Sequence, residues 1–231
     1  MKTIGLIGGM SWESTQTYYR LINQHVRTAL GALHSAKVVL YSVDFAEIEA
    51  LQHQGDWQAT AEILAAAGKA VEAAGADFLV LCTNTMHKVA EPLEAAVSIP
   101  LLHIADATAQ VLQQQDITCV GLLGTRFTME QAFYIERLQR QGIEVVVPSE
   151  PQRERVHSVI YQELCLGVVK ADAKADYLTI VDSLAERGAQ GVILGCTEIG
   201  LLIQQADTGV PLFDTTEIHA AQAVQRALRS F

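Results

Sequence analysis

The hydrophobic positions of this chain form short apolar runs that alternate with longer segments of helical periodicity. Runs rich in Val, Ile and Leu are typical of buried strands, and apolar positions three or four residues apart are typical of amphipathic helices. The runs predict strands at 3–7, 37–43, 77–81, 101–103, 118–123, 143–147, 191–194 and 211–213. The periodic segments predict helices at 12–30, 45–52, 56–74, 86–96, 106–115, 129–141, 152–166, 171–187 and 215–230. Strands that alternate with helices form mainly parallel sheets, so we expect an α/β fold.

Two of the predicted strands end in short polar turns that carry a thiol. Residues 82–87 read Cys-Thr-Asn-Thr-Met-His, and residues 195–198 read Gly-Cys-Thr-Glu. Ligands of open α/β sheets bind outside the carboxyl ends of the strands. The two turns are therefore the candidate functional centre.

The chain contains an internal repeat. Gly-Leu-Ile-Gly at 5–8 matches Gly-Leu-Leu-Gly at 121–124, and Pro-Leu at 100–101 matches Pro-Leu at 211–212. We therefore predict two pseudo-symmetric α/β lobes, each with a mainly parallel sheet flanked by helices, and an active site in the cleft between them. The first lobe is predicted at residues 1–103 with 214–231, and the second at 104–213.

The repeat also predicts which residues of the two turns correspond. Gly75-Ala76-Asp77 matches Gly188-Ala189-Gln190, so Leu81 pairs with Leu194 and Cys82 pairs with Gly195. The partner of Cys196 is then Thr83, one residue beyond the first thiol.

Composition and charge limit the classes of partner and the cellular compartment that we expect for this protein. Half of the residues are hydrophobic and 18% are charged, which is enough to bury a full core. A net charge of −10 argues against nucleic acid and anionic membranes as partners. No stretch approaches the ~20 apolar residues of a membrane span. The four cysteines are widely spaced and include no Cys-x-x-Cys pair, so we expect a reduced, cytoplasmic protein.

The two turns suggest acid–base chemistry. A thiol beside a helix N-terminus has its thiolate stabilised by the helix dipole and by free backbone N–H groups. Such a thiolate can remove a weakly acidic proton from one face of a substrate while a donor on the opposite face returns another, which inverts a stereocentre. Cys119 and Cys165, within a predicted strand and a predicted helix, are interpreted as packing residues.

Three segments of the chain carry a family resemblance. They are Gly-Leu-Ile-Gly-Gly-Met-Ser-Trp at 5–12, Cys-Thr-Asn-Thr-Met-His at 82–87 and Leu-Gly-Cys-Thr-Glu at 194–198. On these motifs the chain resembles the cofactor-independent aspartate/glutamate racemase family, in its broad-specificity amino-acid racemase branch, over nearly its whole length. The resemblance implies a two-domain amino-acid racemase that uses no pyridoxal phosphate and no metal, with one acid/base residue from each turn. It also implies a homodimer.

The identity of the first acid/base residue stays open between Thr83 and Cys82. The usual first motif of the family is Cys-Asn-Thr, whereas this chain has Cys-Thr-Asn-Thr at 82–85. Alignment on the Asn-Thr pair and the internal repeat both favour Thr83. Chemistry favours Cys82, because a hydroxyl is a far weaker acid than a thiol, whose pKa is ~8.5. We take Thr83 and Cys196 as the catalytic pair and Cys82 as the alternative.

Candidate substrate-binding residues lie in and near these turns. Backbone N–H groups and side chains at Met10, Ser11, Asn84 and Thr85 are suited to bind an α-carboxylate. Thr197 and Glu198 complete the second turn. His87 is interpreted more readily as a capping or packing residue.

Two further candidates come from the resemblance. Aspartate-specific members tend to place an arginine after the second strand, but this chain has no arginine between Arg27 and Arg126. Gln52 could supply a neutral hydrogen bond there instead, which favours broad-range substrates. Arg155 occupies a place where the family often has a basic substrate anchor.

Other functions remain alternatives. Hydantoin, maleate and arylmalonate enzymes share the fold and a turn thiol, and a non-catalytic amino-acid-binding protein with two lobes is a second class. Gly5-x-x-Gly8-Gly9 does not fit a dinucleotide fingerprint, so nucleotide binding is a weak interpretation.

Overall fold

The strands lie close to the predicted runs. The computed structural model describes residues 1–229, so the predicted end of the last helix at Ser230, and residue 231 of the predicted first lobe, lie outside the described residues. The strands are β1 (Ile4–Gly8), β2 (Val38–Ser42), β3 (Phe78–Leu81), β4 (Leu101–Leu102), β5 (Cys119–Gly124), β6 (Glu144–Val146), β7 (Val192–Gly195) and β8 (Leu212–Asp214).

The helices also follow the predicted order. They are α1 (Trp12–Leu30), α2 (Phe45–Gln54), α3 (Trp57–Ala73), α4 (Ala90–Ala95), α5 (Ile104–Gln114), α6 (Arg126–Glu130), α7 (Ala132–Gln139), α8 (Glu150–Gln162), α9 (Ala171–Glu186), α10 (Ile199–Leu202) and α11 (Thr215–Leu228). Short 3-10 helices cover Thr85–Val89, Leu164–Leu166 and Gln205–Asp207. The helix predicted at 86–96 is thus a 3-10 turn followed by α4, and the helix predicted at 129–141 is two helices separated at Gln131.

The strands form two four-stranded parallel sheets with the same topology. Their orders are β2-β1-β3-β4 and β6-β5-β7-β8, which confirms the predicted fold class of two α/β domains. The first compact unit contains Met1–Ile104 and the chain from His219 onward, and the second contains Ala105–Ile218. The chain crosses between them at the start of α5 and within α11.

The sheet of the first unit is covered by helices on both faces. Alternate residues of β3 point to opposite faces because side chains of a strand alternate. Phe78 and Val80 pack in one cluster with α1 and α11, whereas Leu79 and Leu81 pack in another with α3 and α4. The helices cover the central strands, so a ligand is expected outside the strand ends.

The second unit also buries apolar side chains from its central strands and its helices. Among them are Val120, Leu122, Val192, Ile193, Tyr134, Leu138, Val156, Val159, Tyr177, Val181 and Leu184. Within residues 1–229, every helix lacks either the length or the hydropathy that a membrane crossing requires.

Candidate active site

The sheet registers show which residues of the two turns correspond. Gly5 of β1 lies beside Leu79 of β3, and the repeat partner of Gly5, Gly121 of β5, lies beside Val192 of β7. Counting on from Leu79 and Val192, Thr83 and Cys196 hold the same position in their units. This correspondence agrees with the register that the repeated sequence predicts.

Cys82 lies in the core of the first unit. Its side chain is fully buried in the cluster that includes Phe78 and Val80, on the face covered by α1 and α11. Burial raises the pKa of the Cys82 thiol well above its ordinary value. Its counterpart, Gly195, has no room for a side chain, because a Cβ there would lie 2.7 Å from the Leu123 carbonyl oxygen.

Thr83 is partly exposed and its turn is held by neighbouring elements. Ser14 of α1 donates its hydroxyl hydrogen to the Cys82 carbonyl at 3.1 Å. His87 Nδ1 lies 2.7 Å from the Thr83 carbonyl oxygen, and the Thr83 N–H donates to the Leu81 carbonyl at 2.9 Å. The backbone on both sides of Thr83 is therefore fixed by hydrogen bonds.

Cys196 interacts directly with Glu198. Its Sγ donates to Glu198 Oε2 at 2.9 Å. Burial, the charge of Glu198 and this hydrogen bond raise the pKa of the Cys196 thiol well above its ordinary value. This differs from the expected stabilisation of a thiolate by a helix dipole, because α10 begins three residues later and has only four residues. The Cys196 thiol is therefore protonated, and it donates its hydrogen to the Glu198 side chain.

Two residues that the sequence analysis missed support the second turn. Thr215 donates its hydroxyl hydrogen to the Leu194 carbonyl at 2.8 Å, and Thr216 donates to Thr197 Oγ1 at 3.2 Å. The sequence does contain a pattern that could indicate these residues, since Asp214-Thr215-Thr216 is a third group of small polar residues at the end of a strand.

Comparison with known proteins decides the family. Residues 7–223 match the family model described as Asp/Glu/Hydantoin racemase. The chain belongs to the Asp/Glu/hydantoin racemase family. The resemblance seen in the sequence is thus confirmed, and the predicted enzyme class, an isomerase, is confirmed with it.

Three relatives of the chain cover nearly its whole length. The broad-specificity amino-acid racemase RacX of Bacillus subtilis is 24% identical over 97% of this chain and 98% of its own. A candidate Asp/Glu racemase from Yersinia pestis is 56% identical with a TM-score of 0.94, covering 99% of this chain and all of its own. An aspartate racemase homologue from Pyrococcus horikoshii is 36% identical with a TM-score of 0.87, covering 98% of this chain and 99% of its own.

In this racemase-family chain, the candidate residues of the first unit lie at the ends of adjacent strands. Met10 is buried in the core cluster with Leu79 and Leu81, and Ser11 caps α1 by accepting from the Ser14 N–H at 3.2 Å. Asn84 and Thr85 are buried at the start of the 3-10 helix Thr85–Val89.

The two candidates suggested by the family resemblance already have protein partners. Gln52 is buried, and its Nε2 donates to the sulfur of Met86 at 2.8 Å, which places the end of α2 beside the first turn. Arg155 Nε donates to Asp176 Oδ2 at 2.7 Å, and its guanidinium lies 3.7 Å from Glu163 and 3.8 Å from Asp172. The positive charge of Arg155 is therefore balanced by protein carboxylates.

Among residues 1–229, no three His, Cys, Asp or Glu side chains are grouped so that they could hold a metal ion.

Proposed function

We propose that this protein is an amino-acid racemase that inverts the α-carbon by two-base proton transfer, with Thr83 and Cys196 as the acid/base residues. The single observation that carries the proposal is the matched register of the two sheets, which gives Thr83 and Cys196 the same position in two like units. The burial of Cys82 in the core supports Thr83 over Cys82.

The contacts of Cys196 support a defined proton path. When Cys196 acts as the base, its proton passes to Glu198 Oε2, and the thiolate that forms takes the α-proton of the substrate. Cys196 acts as the acid in the reverse reaction, which begins with Glu198 protonated: the thiol gives its proton to the α-carbanion, and Glu198 returns a proton to the sulfur. The chemistry requires no cofactor, since each step moves only a proton.

The two faces of the reaction are chemically unequal under this proposal. A threonine hydroxyl is a much weaker acid than a thiol, so proton removal by Thr83 is the harder step. We expect kcat and KM to differ between the two enantiomers, while the ratio of their kcat/KM values satisfies an equilibrium constant of one.

The substrate is proposed to be an α-amino acid, of either the acidic or the broad-range class. The relatives named as Asp/Glu and aspartate racemases favour aspartate or glutamate. The relative named as a broad-specificity racemase, the neutral Gln52 and the balanced charge of Arg155 favour a wider range.

Loss of optical activity tests the activity and the substrate together. Single enantiomers of aspartate, glutamate and several neutral amino acids are incubated with the protein in EDTA, without pyridoxal phosphate, and followed by polarimetry. We expect rotation to decay to zero for at least one of them and to persist with Cys196→Ala. Persistent rotation of every amino acid, with turnover of a hydantoin or a substituted malonate, would contradict the proposal.

We also propose that the protein is a cytoplasmic homodimer. Trp12 and Tyr19 lie seven residues apart on one face of α1 and are 64% and 53% exposed, and Leu40 and Tyr41 are exposed on the edge strand β2. Large exposed apolar side chains of this kind mark interaction surfaces. A sedimentation mass of twice the 25.1 kDa of one chain is expected, and a monomer at micromolar concentration would contradict it.

A further inference from the structure

His87 connects the turn that carries Thr83 to the start of α5. The side chain is only 2% exposed. Its Nδ1 lies 2.7 Å from the Thr83 carbonyl oxygen, and its Nε2 lies 3.2 Å from the backbone nitrogen of Ile104. One imidazole thus bridges two backbone segments that are 21 residues apart in the sequence.

These two contacts fix the protonation of the ring. A backbone N–H can only donate, so Nε2 accepts the Ile104 hydrogen and carries no proton. A carbonyl oxygen can only accept, so Nδ1 carries the proton and donates it to Thr83. The geometry therefore requires a neutral imidazole with its hydrogen on Nδ1.

The ring of His87 is also held by its neighbours. The ring of His103 lies 4.5 Å from it between centroids, and the ring of His219 lies 5.9 Å from it in an edge contact. His219 in turn donates through Nε2 to the Leu102 carbonyl and accepts from the Tyr18 hydroxyl through Nδ1. A side chain packed in this way can hold the Thr83 peptide plane in one orientation.

The second unit supports its turn differently. Counting on from the paired strands, the counterpart of His87 is Gly200, where a Cβ would lie 3.0 Å from Asp214 Oδ2. The hydroxyls of Thr215 and Thr216 hold the second turn instead. The imidazole bridge thus belongs to the turn of Thr83 and has no counterpart at the turn of Cys196.

We propose that His87 is a positioning residue for Thr83, fixing its carbonyl so that its hydroxyl points at the substrate α-carbon. This role rests on the proposed two-base function. A displacement of about 1 Å in a reacting group can lower a rate by as much as about 100-fold. Loss of the bridge should therefore slow the proton transfer made by Thr83 and spare the one made by Cys196.

The test follows exchange of the α-proton in heavy water, separately for each enantiomer of an amino acid that the wild type racemises. The Thr83→Ala variant identifies the enantiomer from which Thr83 takes the proton. His87→Leu removes both hydrogen bonds, and His87→Gln retains one donor and one acceptor. His219→Leu is the matched control, because His219 is equally buried in the same group of rings but bonds Leu102 and Tyr18 instead of Thr83.

His87→Leu should slow exchange of the Thr83-dependent enantiomer by about 10- to 100-fold and that of the other enantiomer by less than about 3-fold. His87→Gln should recover most of the loss, and His219→Leu should change both enantiomers equally. Equal slowing of both enantiomers by His87→Leu, or no slowing at all, would overturn the role. A wild type that exchanges neither enantiomer of any amino acid removes the proposed function and this role with it.

The protonation of His87 provides a readout that does not depend on activity. Nitrogen-15 NMR of the wild type near pH 7 should assign His87 a neutral ring with its hydrogen on Nδ1. A hydrogen on Nε2, or a doubly protonated ring, would contradict the bridge even in an active racemase.

Discussion

At the scale of single residues, the adjacent residues Cys82 and Thr83 differ in burial. Cys82 continues the alternation of β3 and enters the core, whereas Thr83 begins the turn and is partly exposed. The repeat in the sequence favoured Thr83, because it aligns backbone positions. Acidity favoured Cys82, since a thiol is a stronger acid than a hydroxyl. Residue type, however, carries no information on the direction in which a side chain points, and Cys82 points into the core.

Other features of the site lay beyond the reach of the sequence. The bridge from His87 to Thr83 and Ile104, and the bond from Thr215 to Leu194, depend on which turns the fold brings together. Local spacing does not determine such contacts. For the same reason the pairing of Arg155 with Asp176 was not predicted.

The environment of Cys196 leads to a prediction for Glu198→Gln. Removing the carboxylate removes a charge and a hydrogen bond that raise the pKa of the thiol, so more thiolate forms at a given pH. Alkylation of Cys196 by iodoacetamide at pH 8 should become about three- to tenfold faster, since the gain in thiolate is partly offset by its lower nucleophilicity. Peptide mapping by mass spectrometry measures the rate, with Cys119 in the same sample as the reference. A rate that is unchanged or lower would contradict this account of the Cys196–Glu198 pair.

At the scale of elements, the apolar pattern predicted every strand and most helices, because the pattern reports burial on a sheet face or a helix stripe. The apolar pattern does not predict the break at Gln131. An extended residue separates α6 from α7 there, and no glycine or proline marks the position in the sequence. The sequence pattern predicts that α8 begins at Gln152, two residues later than it does. Glu150 and Pro151 fit the first turn of a helix, and Gln152 Oε1 accepts from the Ser149 N–H at 3.0 Å.

The turn between β1 and α1 depends on a glycine. Gly9 has a φ of +93°, and a Cβ there would collide with the Val43 carbonyl and lie 2.7 Å from the Val43 nitrogen. Gly55 has a φ of +74°, and nothing lies within 4 Å of the position that a Cβ would take. Replacing Gly55 by alanine therefore measures the free-energy cost of the positive φ alone, without a collision. Gly55→Ala should cost about 1 kcal/mol and lower the Tm by about 3 °C.

Gly9→Ala adds the collision to the same backbone strain. Its Tm should therefore fall by at least twice as much as that of Gly55→Ala, measured by thermal unfolding under the same conditions. Equal losses in the two variants would show that the close approach to Val43 is relieved at no cost.

At the scale of the whole molecule, the internal repeat determines the fold. Two sheets of the same order, each with its thiol or hydroxyl just beyond the second central strand, follow from a sequence that repeats its strand motifs. The repeat does not determine the contacts that support the two turns. His87 supports the turn of the first unit, and Thr215 supports the turn of the second.

The stability of the first unit should depend on pH through His219. Burial lowers the pKa of this histidine to about 4, despite its hydrogen bond to the Leu102 carbonyl. The unfolded chain takes up the proton near pH 6.5, so the stabilisation is present above that pH and is lost as the pH falls toward 4. The loss amounts to about 3 kcal/mol at pH 4.

Urea unfolding of the wild type and of His219→Leu between pH 7 and pH 4 measures this effect. The free energy of unfolding of the wild type should fall more steeply with acid than that of the variant, which lacks the titrating group. Parallel curves would show that His219 takes up its proton alike in both states.

The central claim is that Thr83 and Cys196, with Cys82 in the core, are the two acid/base residues. Exchange of the α-proton of each enantiomer in heavy water tests it most directly, with Thr83→Ala, Cys196→Ala and Cys82→Ala beside the wild type. The account predicts that Thr83→Ala loses exchange of one enantiomer, Cys196→Ala loses exchange of the other, and Cys82→Ala exchanges both at rates near those of the wild type. Exchange of both enantiomers at wild-type rates by Thr83→Ala, with loss of one by Cys82→Ala, would contradict it.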